Sequence, residues 1–542
     1  MKELIFFVKK ISFFIFWGVL VYPACLMGQS SVYGDFPFEN SFLSNIQPSY
    51  VTVPGSNNSA TFTNDGISLT TNAANQFGAV FLNDRQFTSD NGIVIEFEYM
   101  MYGGTGGDGL CMFLFDASLQ NPEIGSPGSG LGYTYNWSRD DYSSTRKAGL
   151  DGAYLAVAFD SYGNFKNLRY ESNDRKNGIP YQGLDSEGNT KPSNSVNGAL
   201  AAQYDAGDQV TLRGAKGVPL TSGSVSMADG YTGYPVLATR STTAGFGFEV
   251  SANSPYNYIA STAYSGSYFP INGSGIFTGE DSEHYRRAIV ELYPAVDAGG
   301  GFYVTVKIVH GTASGPVTDT LIEDYHYKPS FGYQENAMVP YQFNPDIPAT
   351  TPPTFTLNAN VPDSLRIGFA ASTGAQTNNN VIKNIKITLP GSAVANDDPI
   401  ENPTQSPIEI FPLLNDLGYT GTIGENQSGS YLYLDPETFR FWENDTTLAA
   451  NAYSCTTSDG VWTYSPVTEK VSFVPIQDFT GTASIRYDIK GGGRDANKET
   501  PFSDEAYRST QAVISVKIDT PIVTTSGMVT NKMITVKAGN GS

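Results

Sequence analysis

The chain has 542 residues, of which 40 % are hydrophobic, 13 % aromatic and 16 % charged. Its 32 Lys and Arg against 53 Asp and Glu give a formal net charge of −21, which argues against binding to nucleic acid or to an anionic membrane surface. The length predicts two or three domains. The 56 Gly, 31 Pro, 33 Tyr and 32 Phe favour strands joined by tight turns.

The first 28 residues are predicted to be a targeting segment rather than part of the fold. Three lysines accompany an apolar stretch at 11–21, which is typical of a secretory signal peptide. A lipoprotein cysteine at Cys25 is the alternative, although the preceding Val-Tyr-Pro-Ala is a poor match to a lipobox. No later apolar run reaches the roughly 20 residues that a membrane-spanning helix needs, so no transmembrane segment is expected.

Apolar and polar residues alternate along many short segments, which is the period of a half-buried strand. The clearest examples are residues 93–99, 302–308, 365–369 and 385–389. Residues 154–159 form a continuous apolar run, as expected of a central strand in a sandwich. The pattern predicts an all-β chain built from β-sandwiches.

A domain boundary is expected near residue 390, where the small, acidic stretch 391–402 resembles a linker. The first module is predicted to cover 31–390 and the second, smaller one 393–519. The remaining tail, 520–542, is either an edge strand or the start of a further module.

Two turns carry the candidate chemistry. The first, GTGGDG at 104–109, places Asp108 at the tip of a glycine-rich loop. It formally matches a dinucleotide-binding fingerprint, but a strand follows instead of the helix that a pyrophosphate needs, and a hairpin loop is the competing interpretation. The second turn follows a buried strand and carries Asp160, Tyr162 and Asn164. Carboxylate, carbonyl and amide oxygens form a Ca²⁺-type ligand set, although Asp and Asn are also ordinary turn residues.

With these turns, residues 31–390 resemble the L-type (legume-type) lectin domain of bacterial secreted proteins. The matching segments are 92–99, 104–114, 128–133, 149–160, 162–165, 210–214 and 365–374. The resemblance implies a concanavalin A-like jelly-roll sandwich that binds carbohydrate.

The resemblance also implies which residues contact the sugar. In that family an Asp after a cis peptide bond accepts hydrogen bonds from sugar hydroxyls, and here it is Asp108. A side-chain amide is contributed by Asn164. Backbone N–H donors come from a glycine-rich loop at Gly128, Ser129 and Gly130. A sugar's apolar face needs an aromatic ring, for which Tyr133 and Tyr162 are both candidates.

Calcium is the cofactor that the resemblance implies, with Asp160, Asn164 and the Tyr162 carbonyl as ligands. The sequence departs from the family at the neighbouring transition-metal site, because Ala158 stands where legume lectins have a Glu and none of the three His is near this turn. The second calcium Asp is not identifiable, and Asp174 is a guess.

The second module resembles the Ig-like or cadherin-like repeats of large bacterial surface adhesins, including the fibril type. The matching segments are 395–398, 413–416, 460–466, 471–475, 479–483 and 485–489. The resemblance implies a stalk. Asp397, Asp398 and Asp416 are interpreted as solvated linker acids, with interdomain calcium as the alternative.

The sequence therefore predicts a secreted or bacterial cell-surface lectin-like adhesin that recognises a glycan or polysaccharide without catalysis and that contacts other surface proteins. The alternatives are a structural adhesin segment that binds no glycan, or a glycoside hydrolase or lyase of the same fold. A glycosidase needs two carboxylates across the scissile bond. Glu96 and Glu98 share a strand face, but they are interpreted as solvated positions.

Overall fold

The structure is a computed structural model in which strands make up nearly all regular structure of the described residues. It describes residues 35–135, 147–166, 207–216, 221–222, 225–226, 233–243, 247–251, 254–260, 266, 268–273, 275–334, 354–418, 434–491 and 505–520. The predicted signal segment and the tail beyond residue 520 lie outside these residues. No helix within them is long and apolar enough to cross a membrane. The helices they contain are single 3-10 turns, at Gly128–Gly130, Val296–Ala298, Pro412–Leu414 and Glu505–Tyr507.

The first 22 strands belong to the larger part of the chain. They are β1 (Phe38–Asn40), β2 (Val51–Thr52), β3 (Thr61–Thr63), β4 (Gly66–Thr70), β5 (Phe77–Leu82), β6 (Phe87–Thr88), β7 (Ile93–Tyr102), β8 (Gly109–Asp116), β9 (Ala153–Asp160), β10 (Gln209–Arg213), β11 (Thr221–Ser222), β12 (Val225–Ser226), β13 (Val236–Ser241), β14 (Gly247–Ser251), β15 (Ser254–Ala260), β16 (Arg286–Pro294), β17 (Phe302–Thr312), β18 (Gly315–Tyr327), β19 (Ser330–Gln334), β20 (Thr354–Asn358), β21 (Ser364–Ser372) and β22 (Asn379–Thr388).

These strands form two large antiparallel sheets and two small ribbons. The eight-stranded sheet has the order β18-β17-β16-β7-β22-β4-β3, with β1 also paired to β22. The ten-stranded sheet has the order β15-β14-β13-β10-β9-β8-β21-β5-β2, with β6 also paired to β21. The ribbons are β11-β12 and β19-β20. Consecutive strands are neighbours at the β16–β18 and β13–β15 ends, whereas β7 with β22 and β8 with β21 pair strands that are distant in sequence.

The two large sheets pack face to face around one apolar core. Phe97 of β7 projects from one sheet and lies 5.0 Å from Phe369 and 5.7 Å from Phe159 of the other, measured between ring centroids. Burying each such side chain contributes roughly 1.5–3 kcal/mol. The alternation predicted at residues 93–99 thus places one face of β7 in the sandwich core.

The ten-stranded sheet is covered on both faces, which explains its continuous apolar segments. Leu110 and Met112 of β8 face the core between the sheets, whereas Cys111 and Phe113 face a second cluster on the outer side. Loops supply the cover on that outer side, with Leu131 among their buried residues. The loops that cover this face are therefore held by packing.

The last eight strands form a second, smaller sandwich. They are β23 (Asp398–Glu401), β24 (Ile408–Ile410), β25 (Leu434–Trp442), β26 (Ser454–Thr456), β27 (Gly460–Ser465), β28 (Lys470–Pro475), β29 (Gly481–Gly491) and β30 (Ala512–Ile518). The two four-stranded sheets have the orders β23-β30-β29-β25 and β24-β28-β27-β26. Trp462 stacks on Phe473, 3.9 Å between centroids, in the core that both sheets share.

The predicted fold class, an all-β chain with a large sandwich followed by a smaller one, is confirmed. The strands expected from alternation are all present as β7, β17, β21 and β22, and the apolar run is β9. The module boundaries and the Ig-like assignment of the second part stay predictions. One expectation there is wrong: Asp416 is buried and Asp398 half-buried rather than solvated, because both carboxylates pack within hydrogen-bond distance of the hydroxyl of Tyr487.

Candidate functional site

The loop that carries Asp108 is not a hairpin. It leaves β7 of the eight-stranded sheet and enters β8 of the ten-stranded sheet, so it crosses from one layer of the sandwich to the other. The competing interpretation of GTGGDG as a hairpin is therefore wrong, although both flanking strands were predicted. The crossing places Asp108 at an edge where the two layers meet.

A second loop, residues 373–378 between β21 and β22, packs against this crossing. The backbone N–H groups of Thr105 and Gly107 donate to the carbonyl of Thr377 over 2.8 and 3.4 Å. A Cβ atom at Gly107 would lie 2.0 Å from the carbonyl carbon of Gln376. Glycine is therefore required here because two backbones touch.

The turn after β9 meets the Asp108 loop directly. The N–H of Tyr162 donates to the carbonyl of Asp108 over 3.0 Å, and the hydroxyl of Ser161 donates to it over 3.2 Å. The carboxylate of Asp108 lies beside Gly374, where a Cβ atom would be 3.9 Å from both carboxylate oxygens. The two turns that carry the candidate chemistry, some fifty residues apart, thus meet at one edge of the sandwich.

The peptide bond before Asp108 differs from the one that the resemblance implies. The cis peptide bonds of the described residues are Phe36–Pro37 and Ser406–Pro407, so the bond between Gly107 and Asp108 is trans. The expected cis bond is a wrong prediction.

The turn Gly128–Gly130 lies next to the same edge. The N–H of Gly128 donates to the hydroxyl of Ser372 over 2.8 Å, and Ser372 is the β21 residue paired with Gly109. The N–H of Gly130 donates to the carbonyl of Pro127 over 3.4 Å. Two of the three predicted N–H donors are therefore engaged within the protein, and Ser129 lies between them, half-buried.

Asp160 ends β9 and is completely buried. Its carboxylate accepts the N–H of Gly163 over 2.6 Å and the N–H of Phe165 over 2.7 Å. The ammonium of Lys166, itself buried, donates to the carbonyl of Gly163. Burial raises the pKa of Asp160, whereas the positive charge of Lys166 and the backbone N–H groups of the turn oppose that rise.

These contacts do not fit the calcium ligand set that the resemblance implies. The oxygens of Asp160 point at N–H donors inside its own turn, and the cation beside them is Lys166. The described residues contain no group of three or more His, Cys, Asp or Glu arranged to hold a metal ion. Ala158 is buried within β9, and Asp174 lies outside the described residues.

The remaining predicted contacts differ in their accessibility. Tyr162 is 48 % exposed at the tip of its turn. Tyr133 is buried and donates its hydroxyl hydrogen to the carbonyl of Gly214 over 2.7 Å, so it is a core residue and not a surface for a sugar. The side-chain oxygen of Asn164 is buried without a hydrogen-bond partner, which leaves it available to a ligand atom.

Sequence reasoning missed the buried residues that bind the backbone of the turn after β9. Arg213 of β10 is buried, and its guanidinium donates to the carbonyl of Phe165 over 2.8 and 2.6 Å and to that of Tyr234 over 2.6 Å. Lys166 and Gly374 were likewise not singled out. A charged residue at the end of an apolar strand is the signal that marks Arg213, since Arg is seldom fully buried without a partner.

The carboxylates of Glu96 and Glu98 on β7 each form an ion pair. Glu98 lies 3.5 Å from the ammonium of Lys383, and Glu96 lies 3.9 Å from the guanidinium of Arg287. Both glutamates are half-buried rather than solvated. Their positive partners lie on the neighbouring strands β22 and β16, in the sheet that does not carry Asp108.

Among solved structures, the chain is similar to several lectins at low identity. The exoplasmic/lumenal domain of VIP36 in its Ca²⁺/Man₃GlcNAc-bound form is 12 % identical, with a TM-score of 0.27 over 63 % of this chain and 86 % of that one. Lectin I-B4 of Griffonia simplicifolia in metal-free form is 13 % identical, with a TM-score of 0.30 over 65 % and 98 %. Peanut lectin with a nine-residue peptide is 14 % identical, with a TM-score of 0.27 over 65 % and 95 %.

No family model matches the chain, and no curated protein matches it. Likenesses at these identities and TM-scores do not establish a family or an activity.

Proposed function

We propose that the chain is a non-catalytic carbohydrate-binding protein, related to bacterial L-type lectins of concanavalin A-like fold, whose larger sandwich binds a glycan and whose smaller, Ig-like sandwich acts as a stalk. The predicted signal segment supports a secreted or cell-surface location. The observation that carries the proposal is the meeting of the Asp108 loop and the Tyr162 turn at one edge of the sandwich.

The chemistry at this edge suits a sugar. Vicinal hydroxyls need fixed acceptors and donors, and the carboxylate of Asp108 and the amide of Asn164 offer both. The exposed ring of Tyr162 offers an aromatic surface for the apolar face of a pyranose. The contacts of the Asp108 loop with residues 373–378 hold the acceptor in place before a ligand arrives, which lowers the entropic cost of binding.

The ion pairs of Glu96 and Glu98 favour binding over glycoside hydrolysis. A glycosidase needs two carboxylates that face the scissile bond, whereas these two carboxylates face Lys383 and Arg287. These two glutamates also lie in the sheet that does not carry the proposed sugar site.

The test is a glycan array with the purified protein and two variants at opposite ends of β8. Asp108→Asn keeps the shape of the side chain and removes its charge, so binding weakens by roughly 10- to 100-fold, the loss expected for hydrogen bonds to a charged group. Asp116→Asn is the matched control, because Asp116 ends the same strand and accepts only a local hydrogen bond from Ser118.

The melting temperature of both variants is expected to stay near that of the wild type. Undiminished binding by Asp108→Asn would remove Asp108 from the site. A wild-type protein that binds no glycan on the array would favour a purely structural adhesin, and release of reducing sugar from a polysaccharide would favour an enzyme.

A further inference from the structure

We propose that Lys166 is the built-in cation of the turn after β9, where its ammonium replaces the calcium ion that the family resemblance implies, so that this turn is ordered without metal. The inference deepens the proposed function, on which it rests for what the turn binds.

The position of the ammonium is the first observation. Lys166 is 1 % exposed, and its ammonium donates to the carbonyl of Gly163 and interacts electrostatically with the carboxylate of Asp160. A carboxylate and a turn carbonyl are the oxygen types that calcium prefers, and they are equally good acceptors for an ammonium. The carbonyl of Gly163 follows that of Tyr162 in the predicted ligand set, so the ammonium lies within the same turn.

The lone pairs of Asp160 are the second observation. One carboxylate oxygen accepts the N–H of Gly163 and the other accepts the N–H of Phe165. A carboxylate that binds a metal turns its lone pairs toward the ion, whereas these are directed at the backbone of the turn. Residues 160–165 fold around the carboxylate of Asp160, so backbone N–H groups of the turn satisfy its hydrogen-bond acceptors.

The charge balance is the third observation. One buried carboxylate and one buried ammonium are neutral together, and the described residues place no further group of acidic side chains here. A divalent ion beside Lys166 would add two positive charges in a site of low dielectric constant, where like charges repel strongly.

Arg213 binds a second carbonyl of the same turn. Its guanidinium donates to the carbonyl of Phe165, two residues after the carbonyl that Lys166 holds. The two carbonyls of the turn are therefore each bound by a buried cationic side chain. In this way Lys166 and Arg213 fix the backbone of Asn164, which lies between Gly163 and Phe165.

Calcium alone is the probe for the test, with thermal unfolding and titration calorimetry of the whole protein as readouts. The wild type is expected to melt at the same temperature in EDTA and in millimolar CaCl₂ and to give no saturable heat on calcium addition. Lys166→Met is expected to lower the melting temperature by roughly 5–10 °C, because it leaves Asp160 as a buried charge without its partner.

Two further variants separate this role from simple packing. Lys517→Met is the control, since Lys517 forms an exposed ion pair with Glu401, and its loss is expected to shift melting by less than about 2 °C. Asp160→Asn loses one of the two acceptors of the turn in either background, but it is expected to cost less in Lys166→Met than in the wild type, because there it also removes the uncompensated charge. A side chain that merely fills space would give additive losses.

Saturable calcium binding that raises the melting temperature of the wild type would overturn the inference. Additive losses in the double variant, or a Lys166→Met variant as stable as Lys517→Met, would also overturn it. None of these readouts involves a glycan, so they remain decisive if the sugar-binding proposal fails. A protein that binds glycan only with calcium would overturn this inference and leave the proposed function standing.

Discussion

Two buried cationic side chains, Lys166 and Arg213, bind carbonyls of the turn after β9, which the sequence pattern indicates only as an ordinary Asp/Asn turn. Lys166 donates to a carbonyl three residues before it, whereas the bonds of Arg213 cannot be predicted locally, because Phe165 and Tyr234 lie on segments that only the fold brings together. Burying such a charge is costly unless its donors are satisfied. The hydrogen bonds of the two cations to backbone carbonyls therefore offset the cost of burying them and fix the conformation of the turn.

Replacing Arg213 by Met is expected to destabilise the larger sandwich. The carbonyls of Phe165 and Tyr234 would each lose a donor in a buried position, at a cost of about 1–3 kcal/mol for each unsatisfied group. Urea unfolding measures the change. Arg85→Met is the control, since Arg85 forms a partly exposed ion pair with Asp35 and its loss costs at most about 1 kcal/mol. Equal losses in the two variants would show that Arg213 does not support the turn.

The aromatic candidates show what residue-level prediction achieves. The sequence offered Tyr133 and Tyr162 without a means to choose, because each stands next to a glycine in a predicted loop. The structure separates them by burial: Tyr133 packs 5.5 Å from Tyr234, between ring centroids, whereas Tyr162 projects from its turn. Residue type predicted the chemistry of the site, and only the covering of the outer sheet face decides which ring is accessible.

At the scale of elements, alternation located the strands and failed on how they connect. The period of two predicted β7 and the apolar run predicted β9, because side-chain direction is a local property of a strand. Membership of a sheet is not local. The neighbours of β8 are β9 and β21, and β21 lies about 250 residues further along the chain, so nothing in GTGGDG distinguishes a hairpin from a crossing between layers.

The crossing loop is expected to tolerate no side chain at Gly107. A Cβ atom there would overlap the backbone of Gln376 at 2.0 Å, and overpacking of this kind costs about 1–3 kcal/mol. Gly107→Ala should therefore lower the urea midpoint and, by displacing Asp108, weaken glycan binding. Gly279→Ala is the control, because Gly279 has open space around its Cβ position. A Gly107→Ala variant with wild-type stability would show that the two loops do not depend on this close contact.

At the scale of the whole molecule, the chain contains two cores that are not fully separate. Ala506 and Tyr507, which come from the second part of the sequence, pack in the core of the larger sandwich. The N–H of Gln511 donates to the half-buried carboxylate of Glu39 over 2.8 Å. Composition predicted a linker after residue 390 but not these returning contacts, since a short 3-10 turn leaves no periodic signal in the sequence.

The smaller sandwich contains a cluster of acids that makes its stability depend on pH. The hydroxyl of Tyr487 lies 2.9 Å from a carboxylate oxygen of Asp416 and 3.1 Å from one of Asp398. Burial is the main cause that raises the pKa of Asp398 and of Asp416 to about 7. The negative charge of Asp397 adds to the rise for Asp398, and that of Asp398 adds to the rise for Asp416, while hydrogen bonds to the carboxylates oppose it.

The sign of the effect follows from proton binding. The unfolded chain releases these protons near pH 3.8, the ordinary pKa of an Asp, whereas the folded chain keeps them until about pH 7. Because the folded state binds more protons between these values, the free energy of unfolding falls as the pH rises through this window. The contribution is fully present below about pH 4 and is lost above pH 7.

Urea unfolding of the full chain between pH 5 and pH 8, followed by tryptophan fluorescence, measures this dependence, because Trp442 and Trp462 lie in the smaller sandwich. The midpoint of that transition is expected to be lower at pH 8. Asp416→Asn removes one titrating group at a nearly unchanged shape, so the difference between the two pH values should shrink. Wild type and Asp416→Asn with the same pH dependence would show that this carboxylate titrates as an ordinary Asp and that the hydroxyl of Tyr487 donates to a charged acid at all physiological pH values.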